Sequence, residues 1–316
     1  MTESLRVGVA GIGALGRHHA RIVSSLPGVR AAGVYDVRAD RAAAAGEEHG
    51  IPAVRDLDEL ISACDALIVA TPTVTHHAVA ALALGAGKHV LIEKPIAATL
   101  EEADDLLARA GAAARVLHVG HVERHNPAVD AAIGRVSGAR FIEAHRLNVF
   151  TARSLDVDVV LDLMIHDLQI AQALVGRRVV DVRAAGVAVL TPKIDIANAR
   201  IEFEGGCIAN LTASRVSADR TRKFRVFGLA QYVSVDMAAQ EIASARLGTG
   251  SDGCPAIVPE AIPFEREEPL RREVGRFVEA CRGREVVAVS GWDGREALAL
   301  ALAVRAAIEE HQRRVQ

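Results

Sequence analysis

Gly11-Ile12-Gly13-Ala14-Leu15-Gly16 has the spacing G-x-G-x-x-G, and it stands between an apolar run, 5–10, and a stretch of helical character. In that context each glycine has a task. Gly11 permits a tight turn, Gly13 lets backbone approach a pyrophosphate, and Gly16 lets a helix pack close to a strand. The helix start then offers amides and a positive dipole end to the phosphates. Asp36 closes the next apolar run, about 20 residues past the motif, where an acidic residue grips the adenosine ribose. The turn and Asp36 therefore read as a dinucleotide site. A carboxylate there repels a 2′-phosphate, which favours NAD and disfavours NADP. Arg38 and Arg41 either soften that preference or are solvated arginines at a helix start.

A second constellation lies in VVLDLMIHDL, residues 159–168. Asp162 and His166 are spaced i, i+4, so they share one face of a helix. The helix is otherwise apolar, and polar groups there are costly without partners. A histidine accepts a proton near neutral pH. Such a group suits a secondary alcohol that loses a hydride to nicotinamide and a proton to a base. On the residues alone, the alternative is that the two simply bond each other or the backbone.

These side chains need elements to hold them. Residues 5–10, 29–36, 66–71, 89–95 and 115–120 read as buried strands, and helical stretches stand between them, including 16–25, 76–84 and 100–111. Strand and helix in alternation give a parallel sheet with helices on both faces, so the first domain is expected over 1–120. After Gly120 the segments 139–147, 179–190, 196–216 and 222–236 alternate apolar and polar residues, as antiparallel strands with one covered face do. Gly205-Gly206 reads as a hairpin turn. An apolar helix is expected over 158–175 and a last helix over 294–311; 244–268, rich in Gly, Ser and Pro, reads as loop. The fold class expected is α/β: a Rossmann domain, then over 121–316 an α+β domain with a large, mostly antiparallel open sheet. The last helix is expected to pack back on the first domain.

Composition narrows the function. The chain has 316 residues, more than one core usually accommodates, hence two domains. A net charge of −3 leaves no positive field for nucleic acid or for a membrane surface. Apolar runs break before they can span a bilayer, and the N-terminus reads as free of a secretory signal. The four cysteines, Cys64, Cys207, Cys254 and Cys281, lack zinc-ligand or CxxC spacing and read as free thiols in a reducing cytoplasm. Neither G-x-S-x-G nor H-E-x-x-H occurs, and no metal site is expected.

Gly11–Gly16 continues into Arg17-His18-His19-Ala20, Thr71-Pro72 is followed by His76, and Glu93-Lys94-Pro95 closes the fourth strand. Together with Asp162 and His166, these resemble the Gfo/Idh/MocA oxidoreductase family along nearly the whole chain. The resemblance implies a cofactor cleft between the Rossmann domain and the open sheet. It puts Lys94 beside the nicotinamide and the reacting hydroxyl, with Asp162 and His166 coming from the second domain as further catalytic and substrate-binding residues. Thr71, Pro72 and His76 would wrap the nicotinamide half, Glu93 would reach a ribose, and Pro95 would follow a cis bond. His166 is the expected general base and Lys94 orients the hydroxyl, although these two roles are exchangeable. Arg124, in Gly120-His121-Val122-Glu123-Arg124, is an expected substrate contact. His125 and Gln169 depart from the family pattern, which expects an aromatic and an acidic residue there.

Residues 119–129 and 159–168 most resemble members that oxidise C3 of UDP-N-acetylglucosamine. Arg215, Arg220, Arg222, Lys223 and Arg225 either serve a diphosphate or face solvent. The readings that stay open are an inositol or free-sugar dehydrogenase and a non-catalytic dinucleotide-binding sensor. A homodimer or homotetramer through an apolar face of the second sheet is expected.

Overall fold

The Val-, Ile- and Leu-rich runs of the first third become strands buried on both faces, as a parallel sheet covered by helices requires. The computed structural model describes residues 4–151, 157–250, 253–284 and 288–315. The chain divides into two compact units: Met1–Val122 with Glu268–Glu296, and Glu123–Glu267 with Ala297–Gln316.

In the first unit the elements run β1 (Leu5–Ala10), α1 (Gly16–Ser25), β2 (Val29–Tyr35), α2 (Ala39–His49), α3 (Leu57–Ala63), β3 (Ala66–Val69), α4 (Thr73–Gly85), β4 (His89–Glu93), α5 (Leu100–Ala113) and β5 (Leu117–Gly120). The five strands are parallel in the order β2-β1-β3-β4-β5. The order reverses between β1 and β3. Open sheets of this kind bind ligands outside the carboxyl ends of the strands at that switch point. The glycine turn leaves β1 there, Thr71-Pro72 leaves β3, and Lys94 leaves β4.

The second unit holds α6 (Pro127–Ile133), β6 (Phe141–Leu147), a π-helical turn (Val160–Met164), α7 (Ile165–Val175) and the strands β7 (Val179–Val187), β8 (Ile196–Phe203), β9 (Ile208–Ser214), β10 (Thr221–Phe227), β11 (Gln231–Asp236), β12 (Glu241–Thr249) and β13 (Pro255–Glu260). They form an eight-stranded sheet, β13-β12-β11-β10-β6-β9-β8-β7, antiparallel except for β6 beside β9. Burial alternates along β6 and β8, so one face is covered. Ile142, Ala144, Ile201, Leu211, Phe224 and Val226 on that face share a core with Ile165, Leu168 and Ala171 of α7. Two helices complete the chain, α8 (Pro269–Cys281) and α9 (Gly291–Val315). Val274, Phe277 and Val278 of α8 belong to the first core, and Ala301, Val304 and Ile308 of α9 to the second.

The structure differs from the sequence reading in three places. First, the chain does not divide by a single cut near 120. It crosses between units after Val122, Glu267 and Glu296. The helix that returns to the first unit is α8, while most of α9, expected over 294–311 to pack on that unit, stays with the second. Second, 244–268 is not loop throughout, because β12 and β13 form a hairpin there. Pro255 and Pro259 are tolerated because β13 is an edge strand. Gly248 allows close approach, since a Cβ on it would lie 2.6 Å from Val258. Third, the other sheet face is not uniformly apolar. Phe141, Phe227 and Tyr232 make an aromatic row on it, with ring centroids 5.9 and 5.0 Å apart. Beside that row Arg225 pairs with Glu143 at 2.7 Å.

Candidate active site

The glycine turn follows from steric limits. Gly11 has φ +89°, and a Cβ on it would stand 2.6 Å from the Ala70 carbonyl oxygen. A Cβ on Gly16 would fall 1.7 Å from the Gly11 carbonyl oxygen. A Cβ on Gly13 would meet nothing within 4 Å. Gly11 and Gly16 are thus required by the turn itself, whereas Gly13 keeps an open cradle clear. Helix α1 starts directly after it without a side-chain cap, as anion-binding helix starts do. The Ile12 N–H donates to Asp36 Oδ2 at 2.6 Å, and the Arg38 N–H to Asp36 Oδ1 at 2.8 Å. Asp36 therefore ties β1 to β2, and each of its oxygens keeps a second lone pair for a ribose hydroxyl. The Arg38 guanidinium turns to Asp40, 2.8 Å away. These residues fit a dinucleotide.

The turns after β3 and β4 are held by buried imidazoles. His76, in the first turns of α4, is 1% exposed. Its Nδ1 lies 2.9 Å from the Pro95 carbonyl and its Nε2 2.8 Å from the Thr71 carbonyl. Burial holds its pKa below the ordinary histidine value, against the pull of those carbonyls. The Thr75 hydroxyl donates to the Pro72 carbonyl at 2.8 Å and lies 2.9 Å from the Thr71 hydroxyl, from which it can accept. Glu93 points inward, its Oε1 2.7 Å from His19 Nε2 and its Oε2 accepting the Lys94 N–H at 3.3 Å. The Lys94–Pro95 peptide bond is cis. His121 is pushed down to about 3, chiefly by burial and then by the charge of Lys94, so it stays neutral. Glu273 of α8 is fully buried, and burial, reinforced by the charge of Glu93, raises its pKa well above the carboxylate range.

Asp162 and His166 belong to the second unit. Asp162 sits within the π turn, which the Ile165 N–H closes on the Val160 carbonyl, five residues back. The sequence spacing suggested a plain α-helix; the wider turn changes how Asp162 is aimed, and such turns are frequent at functional sites. Asp158 fixes its start, accepting the N–H groups of Val160 and Leu161 at 3.0 and 3.1 Å, and it pairs with Arg305 at 2.8 Å. His166 opens α7 and is 8% exposed. Its neighbour Asp167 takes a bidentate bond from Arg146, at 2.8 and 3.0 Å, and Arg146 also reaches Glu123 at 2.7 Å. All three are buried. Burial raises the pKa of Asp167, and Arg146 opposes that shift.

Of the other expected contacts, Arg124 pairs with Asp130 at 3.0 Å. Arg215 is buried and donates to the Val157 carbonyl at 2.9 Å. Arg222 and Lys223, adjacent on one strand, face opposite sides of the sheet, and Arg222 lies 3.5 Å from Glu123. Gln169 is buried. The sequence reading missed Arg146, Glu123, His19 and Glu273 as supports. Arg146 left a signal, because it is a charge at an inward position of the alternating strand β6.

Comparison with known proteins bears on the whole length. Residues 5–121 match the oxidoreductase family with an NAD-binding Rossmann fold, GFO/IDH/MocA, and residues 128–233 match a C-terminal domain of the same family. The UDP-N-acetylglucosamine 3-dehydrogenase of Acidithiobacillus ferrooxidans is 41% identical over 307 residues, covering 96% of this chain and 97% of that protein. Its solved structure superposes with a TM-score of 0.92 at 40% identity, covering 97% of this chain and 98% of that one. The myo-inositol 2-dehydrogenase of Thermotoga maritima is 27% identical over 97% of both chains.

Proposed function

The chain belongs to the GFO/IDH/MocA oxidoreductase family, and from that membership we propose that it oxidises the C3 hydroxyl of a UDP-N-acetylhexosamine to a ketone. The observation that carries the reading is the 41% identity to a UDP-N-acetylglucosamine 3-dehydrogenase, sustained over 96% of the chain and so across both units. The inositol dehydrogenase relative stands lower, at 27%.

Gly11, Ile12, Gly13, Ala14, Leu15 and Gly16 hold the pyrophosphate, and Asp36 the adenosine ribose, which selects NAD over NADP. Thr71, Pro72 and Lys94 surround the nicotinamide end. NAD, when bound, supplies the hydride acceptor. The chain's own residues manage the proton. His166 accepts it from the C3 hydroxyl, Lys94 orients that hydroxyl and stabilises the developing negative charge on oxygen, and Asp162 holds the sugar. Arg146, clamped to Asp167, fixes the start of α7 and with it the backbone of His166. Arg124 lines the sugar side.

Two further statements complete the reading. Two or four copies assemble through the outer sheet face, around the Phe141, Phe227 and Tyr232 row. The enzyme works in the cytoplasm, in keeping with the free thiols of Cys64, Cys207 and Cys281; among the described residues no helix is long and apolar enough to cross a membrane. The test is NADH formation across UDP-sugars, free hexoses and inositols. UDP-N-acetylglucosamine should give the highest kcat/KM; preference for an inositol would overturn the substrate.

A further inference from the structure

Lys94 leaves β4 between two residues that are each held by an imidazole. Before it, Glu93 lies 2.7 Å from His19 Nε2 through Oε1, and its Oε2 takes the Lys94 N–H at 3.3 Å. After it, the Pro95 carbonyl lies 2.9 Å from His76 Nδ1, while the other nitrogen of that ring is 2.8 Å from the Thr71 carbonyl. His19 is 0% exposed and His76 1%. Each is the fourth residue of its helix, α1 opening from the glycine turn and α4 opening from Thr71-Pro72. Neither side chain has surface to offer a ligand. Glu93, 6% exposed and turned to His19, has little more.

We propose that His19 and His76 are the positioning residues of Lys94, fixing the backbone on either side of it, one through the Glu93 carboxylate and the other through the Pro95 carbonyl. The ring of His76 also sits between the turn after β3 and the turn after β4, donating to one of their two carbonyls and packing against the other, so these two strand ends are held together. His76 and Glu93 then serve the lysine and do not touch the dinucleotide. A lysine nitrogen at the end of four rotatable bonds aims well only if its Cα is fixed, and misplacement by about 1 Å costs on the order of a hundredfold in rate.

This inference rests on the dehydrogenase reading, and Lys94→Ala separates the two. If Lys94→Ala keeps wild-type turnover of UDP-N-acetylglucosamine, the reading itself fails. If Lys94→Ala is inactive, His76→Ala and His19→Ala in the full-length enzyme decide the inference. Each should lower kcat roughly tenfold to a hundredfold. The Kd for NADH, measured by fluorescence titration, should stay within about threefold, because an interaction felt only in the transition state has been lost. The deuterium isotope effect with C3-deuterated substrate should rise as hydride transfer becomes limiting. Should an alanine variant not fold, His76→Asn and Glu93→Gln take its place with the same expected split. Unchanged kcat overturns the inference, and so does a loss of NADH affinity as large as the loss of kcat, since these residues would then be cofactor contacts.

Discussion

Replacing Arg146 by Met removes a guanidinium that is 3% exposed and makes three charge-assisted bonds, at 2.8 and 3.0 Å to Asp167 and 2.7 Å to Glu123. Both carboxylates are themselves buried. Breaking a buried pair by deleting one partner costs about 3–5 kcal/mol, because the remaining charge stays desolvated. Glu123 keeps Arg222, 3.5 Å away, as a partial counterion. Asp167 is left to bear most of the loss, and we place the cost near the middle, about 4 kcal/mol. For a chain of this size that corresponds to a fall in Tm on the order of 10 °C. The variant also has a pH signature. Burial already raises the pKa of Asp167 above its unfolded value in the folded state, and without Arg146 it rises further. Between those two values the folded state binds the extra proton, so stability falls as pH rises. The deficit against wild type should be smaller near about pH 5 than near about pH 8. Differential scanning calorimetry at both pH values measures it, and adding Asp167→Asn should recover part of the loss. A Tm within about 2 °C of wild type at both pH values would refute the reasoning.

Gly13→Ala should leave Tm unchanged, since its Cβ meets nothing within 4 Å, yet weaken NADH at least about tenfold by filling the cradle; a calorimetric titration with unaltered Kd would count against that site. Gly16→Ala should by contrast disrupt the turn, because its Cβ would lie 1.7 Å from the Gly11 carbonyl oxygen, and circular dichroism melts compare the two. Asp36→Ala should narrow the preference for NADH over NADPH, read from paired Kd values, and an unchanged ratio would remove Asp36 from cofactor selection. Asp195, fully buried, opposes its burial with N–H bonds from Val189, Leu190 and Thr191 and the Thr191 hydroxyl, all at 2.7–2.8 Å, and its pKa is lowered to about 2. The folded value lies below the unfolded one, so this stabilisation is complete above about pH 4 and fades as pH falls toward about 2. Asp195→Asn should cost about 2 kcal/mol at neutral pH and progressively less under acid, by denaturant titration.

The Rossmann unit was legible because its signals are local. Five apolar runs stop at glycine or polar turns, and α1 occupies the 16–25 expected from the chain. The glycine turn is signalled by its own six residues and Asp36, although Gly11 also makes room for the Ala70 carbonyl at the end of β3. The second unit was less legible wherever the signal is long-range. The β12–β13 hairpin hides behind prolines and glycines that an edge position excuses. The return of α8 to the first unit depends on Val274, Phe277 and Val278 finding a core that runs from Val7 to Leu91, far earlier in the chain, which no window of sequence displays. The π turn changes the aim of Asp162 without changing its spacing to His166. Glu93 and His76 flank the turns that the sequence assigns to the cofactor, and the sequence shows nothing of what their side chains touch. Their inward hydrogen bonds to His19, Pro95 and Thr71 appear only once three strand ends are side by side.

The central claim is that a hydride leaves C3 of a UDP-linked N-acetylhexosamine. UDP-N-acetylglucosamine deuterated at C3, incubated with the enzyme and NAD, tests it in one mass spectrum of the reduced cofactor. The account predicts deuterium in the nicotinamide of the product NADH and a 3-keto sugar beside it. Unlabelled NADH, or a ketone at another carbon, would contradict it.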